Sequence, residues 1–276
     1  MTTMSEPTLA SPSNPRIKAA ARLRERRERD ATGLTLVDGA RELRRALEAG
    51  VEVVEAFVCE PLLAGADARA ALDALRARGV ALTSTTETAF AKLAFGDRAE
   101  GLVAVVRVPS LALDHLRLPA EPLIVVIEGV EKPGNVGAVL RSADGAGVDA
   151  VIAASPRTDL ANPNVIRASA GTIFAVPMAA APTVEVVAWL RERRVRILAA
   201  RVDGTLAYTA ADLTGPLAIV VGSEAEGLTD AWHGPGIETI HLPMLGIADS
   251  LNVSVSAAVL AYEASRQRAG QPARAD

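Results

Sequence analysis

The feature that most constrains the fold is a short apolar run, LIVVIE, at residues 123–128. A strand with one solvent-facing side alternates apolar and polar residues, whereas a parallel strand covered on both faces reads as continuously apolar. The run therefore predicts a central strand of a parallel sheet with helices on both sides. Residues 217–221, LAIVV, repeat the pattern and predict a second such strand.

Segments of strand and helix character alternate along the chain, which predicts an α/β fold. We expect a small α/β domain at residues 14–108, a proline-punctuated linker at 109–121 and a second α/β domain at 122–268, with tails at 1–13 and 269–276. In the first domain the pattern predicts one helical stretch over 15–29, strands over 33–38, 51–59, 80–83 and 101–108, and helices over 39–48, 67–78 and 85–93. In the second it predicts strands over 123–128, 148–153, 196–201, 217–221 and 238–242, helices over 135–146, 164–170 and 183–194, and an extended piece at 174–177.

Composition narrows the class of protein. The chain is 50% hydrophobic and 22% charged with a net charge of −4, which indicates a globular protein and argues against one that coats nucleic acid by bulk charge. The lone Cys59 and three scattered histidines predict no disulfide and no metal site. We find no signal-peptide pattern and no apolar run of membrane-spanning length, so we expect a cytoplasmic protein.

Two glycine patterns resemble nucleotide-binding loops, but each lacks a residue type or an order of elements that such loops require. Residues 129–134 have the glycine spacing of a P-loop, but Asn135 and Val136 stand where Lys and Ser or Thr are required. Residues 145–150 match GxGxxA, yet they follow a helix and precede a strand, the reverse of a dinucleotide fingerprint. No serine lies in a nucleophile-elbow sequence, which disfavours a hydrolase triad.

Three polar loops follow strands of the second domain, at residues 128–141, 222–227 and 242–254. Open α/β sheets bind ligands beyond the carboxyl ends of their strands, so these loops predict a site. Asn135 and Arg141 lie on one predicted helix. Asn135 could cap the helix while Arg141 faces solvent, or both could belong to a functional site, and the two interpretations are equally good. We expect Ser250 to cap the last helix and an apolar face made of Leu251, Val255, Ala258, Val259 and Tyr262.

The stretch at residues 16–30 carries seven basic side chains against three acidic ones. Such a run usually marks a solvated helix face laced with ion pairs. It also suits a ridge that contacts nucleic-acid phosphates, but from the run alone the solvated face is the favoured interpretation. Only an RNA substrate would give the two interpretations similar weight.

The three loops contain stretches that resemble the motifs of one enzyme family. They read EGVEKPGNVGAVLRS at 128–142, VVGSEAEGL at 220–228 and LPMLGIADSLNVS at 242–254. In order and spacing they are similar to the three motifs of the SpoU (TrmH-like) RNA ribose 2′-O-methyltransferases of the SPOUT superfamily. Residues 14–108 more loosely resemble that family's N-terminal substrate-binding domain, which is related to ribosomal protein L30e.

The resemblance implies a C-terminal trefoil-knot domain with a parallel sheet, a smaller L30e-like domain, S-adenosylmethionine as cofactor, and a homodimer without metal or membrane. Arg141 would activate or orient the 2′-hydroxyl, Asn135 would position Arg141 or the ribose, and Ser250 and Asn252 would shape the site. Because a guanidinium stays protonated, we expect orientation and charge stabilisation, with a transient base role left open. Around the cofactor the resemblance places Leu198, Ala199, Gly222, Ser223, Glu224, Leu242, Met244, Leu251 and Asn252. The expected RNA-binding residues are Arg16, Lys18, Arg22, Arg24, Arg41 and Arg167.

The expected activity is S-adenosylmethionine-dependent methylation of a ribose 2′-hydroxyl in structured RNA, with ribosomal RNA favoured over transfer RNA. A transfer RNA 2′-O-methyltransferase is one alternative. A non-catalytic RNA-binding or ribosome-associated protein that keeps the fold is another. The sequence identifies neither the target nucleotide nor a role in antibiotic resistance.

Overall fold

Strands and helices alternate along the computed structural model, which describes residues 8–94, 100–223 and 226–270. The strands are β1 (Leu34–Asp38), β2 (Val53–Val58), β3 (Ala81–Ser84), β4 (Leu102–Arg107), β5 (Leu123–Glu128), β6 (Ala150–Ala154), β7 (Met178–Ala181), β8 (Arg196–Ala200), β9 (Leu206–Ala207), β10 (Leu217–Val221) and β11 (Ile237–His241). The helices are α1 (Pro15–Arg22), α2 (Arg26–Thr32), α3 (Ala40–Glu48), α4 (Gly65–Ala77), α5 (Glu87–Phe90), α6 (Pro133–Ala146), α7 (Pro163–Ala168), α8 (Thr183–Glu192) and α9 (Val253–Ala269). No helix within these ranges combines the length and apolar character that crossing a membrane requires.

The chain packs as two units. One comprises Met1–Pro109 and Asp159–Ala175, and the other comprises Ser110–Thr158 and Val176–Asp276. The first break falls beside the linker that the sequence predicts. The segment Asp159–Ala175 differs from expectation, because the sequence places it inside the second domain whereas it packs with the first unit.

A four-stranded sheet of order β1-β4-β2-β3 organises the first unit. β4 pairs antiparallel with β1 and β2, and β2 pairs parallel with β3. Apolar residues of α3 and α4 cover one face of the sheet, and those of α1 and α5 cover the other. Val37 lies in the first of these clusters and Leu36 in the second, as the alternation of side chains along β1 requires.

Particular contacts hold the segment Asp159–Ala175 in the first unit. Ile166 of α7 is 2% exposed and joins the apolar cluster of α3 and α4. The buried guanidinium of Arg29 is paired with Asp159, to which its Nε donates at 2.7 Å. Arg45 donates to the carbonyl of Ala170 at 2.9 Å. These tertiary contacts leave no trace in local periodicity, which explains why the sequence assigns the segment to its neighbours in the chain.

The arginine-rich stretch forms two helices and not the single helix that the pattern predicts. α1 ends at Arg22 and α2 begins at Arg26. Leu23 and Arg29 are both buried, at 4% and 3% exposure. Six residues apart on one helix, they would point in directions about 120° apart. The break between the helices allows both side chains to be buried.

A seven-stranded sheet of order β7-β6-β5-β10-β8-β11-β9 organises the second unit, and every pairing in it is parallel. β5 and β10 lie side by side at its centre and every residue in both is buried, as the two apolar runs predict. α8 and the buried Trp232 cover one face. α6 packs against α9 over the other, where α9 also contacts β5 and β10.

The buried side of α9 is not the one that its sequence suggests. Its buried residues are Val253, Ala257, Leu260, Ala261 and Ala264. The predicted face was therefore wrong. Leu251 lies before the helix and is exposed, Val255 and Tyr262 are exposed, and Ala258 and Val259 are only partly buried. Apolar residues run around the whole helix, so spacing alone could not select the buried side.

Candidate active site

Loops after three neighbouring strands enclose a cavity at the carboxyl edge of the parallel sheet. The cavity has a volume of about 730 Å³. Its wall is made of residues 200–203 after β8, 221–223 and 226–228 after β10, and 241–244 and 249–251 after β11, together with Val253 and Ser256 of α9. Two of the three predicted motifs therefore line a common cavity, at the edge where parallel α/β sheets bind ligands.

Most residues expected around the cofactor lie on this wall. Gly222, Ser223, Leu242, Met244 and Leu251 line it, and so does Ser250. Leu198 and Ala199 are fully buried within β8, and Ala200 at the end of that strand reaches the cavity in their place. Asn252 lies between two lining residues without lining the cavity itself. Glu224 falls outside the described residues.

The loop after β10 turns very tightly. A Cβ atom added to Gly222 would lie 2.2 Å from the carbonyl carbon of Gly227. The amide of Gly227 donates to the carbonyl of Ser223 at 3.0 Å, and the amide of Glu226 donates to the Ser223 hydroxyl at 3.2 Å. The first glycine of this motif is thus required by close approach of two backbone segments.

Asn252 caps α9 and joins it to α6. Its Oδ1 accepts from the amide of Ser254 at 2.9 Å and from the Ser254 hydroxyl at 2.6 Å. Its Nδ2 donates to Oδ1 of Asn135 at 3.3 Å. The expectation that Ser250 caps the helix was wrong, because the chain becomes helical only at Val253. The structure brings Asn135 of the first motif together with Asn252 of the third.

Arg141 lies on α6, six residues beyond Asn135, with its side chain exposed. Among the described residues it forms no ion pair and no hydrogen bond through its guanidinium. The helix thus presents a cation on the same element that carries the Asn135–Asn252 contact. This arrangement suits a residue that meets a ligand better than one that holds the fold together.

The cavity also has polar lining residues that the sequence did not single out. Arg201 donates from Nε to Asp203 at 2.9 Å and from Nη1 to the carbonyl of Leu228 at 3.4 Å. The hydrogen bond from Arg201 holds the pKa of Asp203 below its usual value. Nδ1 of His241 is buried and has no hydrogen-bond partner among the described residues. Arg201, Asp203 and His241 lie at or just after the ends of parallel strands, and that position is the signal that could have found them.

A three-residue ion cluster joins the segments that follow β5, β6 and β10. Arg157 donates to Glu131 at 2.8 Å and is also paired with Glu226, which lines the cavity. All three side chains are about half exposed, so solvent and salt weaken the pairing.

The residues expected to bind RNA have several different surroundings in the first unit. Arg16 donates to Glu55 at 3.0 Å and to Thr83 at 2.6 Å. Arg24 donates to the carbonyls of Leu93 and Ala94 at 2.9 and 2.6 Å, and burial lowers its pKa. These two arginines thus support the tertiary structure.

The remaining members of the set are more accessible. Lys18 and Arg22 are exposed on α1, and Arg22 lies 3.7 Å from Glu28. Arg41 is exposed beside Glu42 on α3. Arg167 is partly exposed and donates to Asp38 at 3.1 Å. Within the parts of the chain that the structure describes, no three His, Cys, Asp or Glu side chains are grouped as a metal site would require.

Comparison with known proteins agrees with this geometry. The profile of the SpoU rRNA Methylase family matches residues 122–262, and that of the MRM3-like substrate binding domain matches residues 14–104. A 23S rRNA (uridine(2479)-2′-O)-methyltransferase from Streptomyces viridochromogenes is 30% identical over 257 residues, covering 90% of this chain and 88% of the relative. The chain belongs to the SpoU rRNA methylase family.

Solved structures of similar proteins extend over nearly the whole chain. The crystal structure of an RNA 2′-O ribose methyltransferase has a TM-score of 0.83 and 44% identity, covering 95% of this chain and 99% of that one. An AdoMet-bound rRNA methyltransferase from Sinorhizobium meliloti has a TM-score of 0.85 and 25% identity, covering 94% of this chain and 97% of that one. Both units of the SpoU family chain are therefore included in each comparison.

Proposed function

We propose that this protein transfers a methyl group from S-adenosylmethionine to a ribose 2′-hydroxyl of ribosomal RNA. The observation that carries the proposal is the hydrogen bond between Asn135 and Asn252, which joins the first and third family motifs next to the cavity wall. The similar proteins, one an rRNA 2′-O-methyltransferase by name and one an AdoMet-bound rRNA methyltransferase, support the same activity.

The cavity fits the cofactor in size and lining. Its volume of about 730 Å³ lies within the range of small-molecule sites, about 300–1,000 Å³. The close backbone approach at Gly222 leaves a wall without side-chain bulk. Gly222, Leu242, Met244 and Leu251 would hold the cofactor, with Ser223 and Asp203 offering polar contacts. When bound, S-adenosylmethionine supplies an electrophilic methyl group on a positively charged sulfur.

Arg141 is the residue that we assign to the RNA hydroxyl. An exposed guanidinium without an ion-pair partner among the described residues can orient the 2′-oxygen and stabilise negative charge that develops on it. Because it stays protonated, it acts by orientation and charge and not as a stoichiometric base. Asn135 positions the ribose or Arg141, while Asn252 holds Asn135, and Ser250 contributes a hydroxyl to the wall.

The domain at residues 14–108 would bind the RNA, together with the segment Asp159–Ala175 that packs in the same unit. Its match to a substrate-binding domain supports this role. Lys18, Arg22 and Arg41 are the accessible cations that suit phosphate contacts, with Arg167 partly available. Residues 122–268, apart from the segment Asp159–Ala175, would form the methyltransferase domain after the linker at 109–121. Since ribosomal RNA is the substrate, we place the protein in the cytoplasm.

We also propose a homodimer and a trefoil knot. Leu251, Val255 and Tyr262 are exposed around α9, and Leu245 and Ile247 are fully exposed in the loop before it. A second copy of the chain would cover these apolar side chains. The knot is supported by topology, because β11 lies on the far side of β8 from β10 and β5, whereas α9 packs back on β10 and β5. After β11 the chain therefore returns past β8 to the position of β10 and β5.

The proposal is tested by cofactor binding and methyl transfer in one set of proteins. We expect calorimetry to detect S-adenosylmethionine binding, and labelled methyl to appear at ribose 2′-oxygens of ribosomal RNA. Arg141→Ala should abolish transfer and leave binding nearly unchanged. Arg191→Ala, at the exposed end of α8, is the matched control and should retain both.

Two results would contradict the proposal. A wild-type protein that binds RNA but not the cofactor would be the non-catalytic alternative. Equal loss of transfer and cofactor binding in Arg141→Ala would make Arg141 a structural residue.

A further inference from the structure

Glu128 is a buried carboxylate at the end of β5 to which the proposed chemistry gives no role. It is the last residue of a central strand of the parallel sheet and is 3% exposed. No Lys, Arg or His of the described residues forms an ion pair with it. A buried charge without a counter-ion is costly unless hydrogen bonds satisfy it. The groups that donate hydrogen bonds to Glu128 therefore identify the segments of the chain that it holds in place.

Two threonines supply those hydrogen bonds. Oε1 accepts from the Thr183 hydroxyl at 2.7 Å and from the Thr229 hydroxyl at 2.9 Å. Oε2 accepts from the backbone amide of Thr229 at 2.8 Å. Thr183 is the first residue of α8, and its amide donates to the Ser155 hydroxyl at 3.0 Å. One partner thus belongs to a helix start and the other to a loop.

Thr229 ends the loop that forms one wall of the cavity. Gly222, Ser223 and residues 226–228 of this loop line the cavity directly. Ser223 accepts hydrogen bonds from the amides of Glu226 and Gly227, which ties the start of the loop to its end. Its entry is fixed by β10, and its exit is held by the two hydrogen bonds from Thr229 to Glu128.

We infer that Glu128 is a positioning residue for the cofactor: through Thr229 it holds residues 226–229, which end the loop after β10, in the geometry that binds S-adenosylmethionine. Neither threonine lines the cavity, but Thr229 follows the lining residue Leu228, whereas Thr183 belongs to α8. Thr183 donates to the same carboxylate oxygen as Thr229. The inference rests on the proposed function for the identity of the ligand. The anchoring of the loop itself can be tested without any ligand.

The two threonines provide a matched pair of variants. Thr229→Val and Thr183→Val each remove one hydroxyl donor from the same Oε1 while keeping the shape of the side chain. We expect both to lower the midpoint of thermal unfolding by similar amounts. Thr229→Val should raise the Kd of S-adenosylmethionine about tenfold, whereas Thr183→Val should change it by less than about twofold. Thr229→Ser, which keeps the hydroxyl, should restore the wild-type Kd.

Hydrogen exchange in the protein without cofactor supplies the second measurement. Thr229→Val should accelerate exchange of the amides of Glu226 and Gly227, which Thr183→Val should leave protected. If the exchange rates of these amides rose equally in both variants, or rose in neither, the positioning role of Glu128 would be overturned. A wild-type protein that fails to bind S-adenosylmethionine would refute the proposed function, and the exchange comparison would still decide the role of Glu128.

Discussion

Replacing Gly222 with alanine perturbs the cavity wall by a distance that the structure specifies. The added Cβ would lie 2.2 Å from the carbonyl carbon of Gly227, 2.3 Å from its oxygen and 2.6 Å from the amide nitrogen of Leu228. All three atoms are backbone, so no side chain can rotate away to make room. The backbone of Gly222 or of residues 227–228 must move.

The size of the effect follows from ordinary contact distances. Carbon atoms pack at about 3.5–4.0 Å, so the two segments must separate by about 1.3 Å or more. Overpacking of this kind costs about 1–3 kcal/mol of folding stability. Because Gly222, Gly227 and Leu228 all line the cavity, the same displacement moves the wall. We expect cofactor affinity to fall at least about tenfold, equivalent to about 1.4 kcal/mol.

Calorimetry with S-adenosylmethionine, together with chemical denaturation, measures both effects. Gly246→Ala is the matched control, since a Cβ there meets no atom within 4 Å and the residue lies in the loop after β11. The control should bind the cofactor like the wild type and keep its stability. Equal cofactor affinity in Gly222→Ala and Gly246→Ala would refute the assignment of this loop to the cofactor.

Three further predictions use other parts of the molecule. Arg141→Lys keeps the charge but loses the planar donor pair, so the methyl-transfer rate should fall at least about tenfold with cofactor Kd unchanged; an unaltered rate would show that charge alone is sufficient. Combined replacement of Lys18, Arg22 and Arg27 by Glu should weaken RNA binding and reduce the dependence of the binding constant on salt. Arg24→Glu should instead mainly lower folding stability, because Arg24 donates to the carbonyls of Leu93 and Ala94. Unchanged filter-binding curves for the triple variant would exclude α1 and α2 from the RNA-binding surface. Arg194→Gly should stabilise the protein by about 0.5–1 kcal/mol in urea denaturation, since Arg194 has a φ of +55° and glycine adopts that conformation without a steric penalty. A lower unfolding midpoint would show that the Arg194 side chain contributes more to folding stability than its backbone strain costs.

The elements predicted best are those whose sequences are locally unambiguous. β5 and β10 match their predicted bounds because continuous branched apolar runs have few other interpretations. β7 was missed because its sequence, MAAA, is dominated by alanine, which is depleted in strands. Its place at the edge of the sheet comes from pairing with β6, a tertiary contact that no local pattern contains.

The site was predictable in its motifs and less so in its contacts. The position of polar loops after parallel strands predicted a site where the structure has a cavity lined by Gly222 and Ser250, and the roles that the family resemblance implies for them stay predictions. Sequence could not show that Asn252, and not Ser250, caps α9, because both are good capping residues and the choice depends on where the loop ends. Nor could it show that Arg24 is committed to backbone carbonyls, since exposed and anchored arginines look alike in a charged run.

Mapping of ribose methylation in cells tests the central claim most directly. Ribosomal RNA would be compared from cells with the gene, without it, and with an Arg141→Ala allele expressed to the same level. We predict at least one 2′-O-methylated nucleotide that is present with the intact gene and absent from the other two strains. Identical methylation maps in all three strains would contradict the assignment of this protein as an RNA ribose methyltransferase.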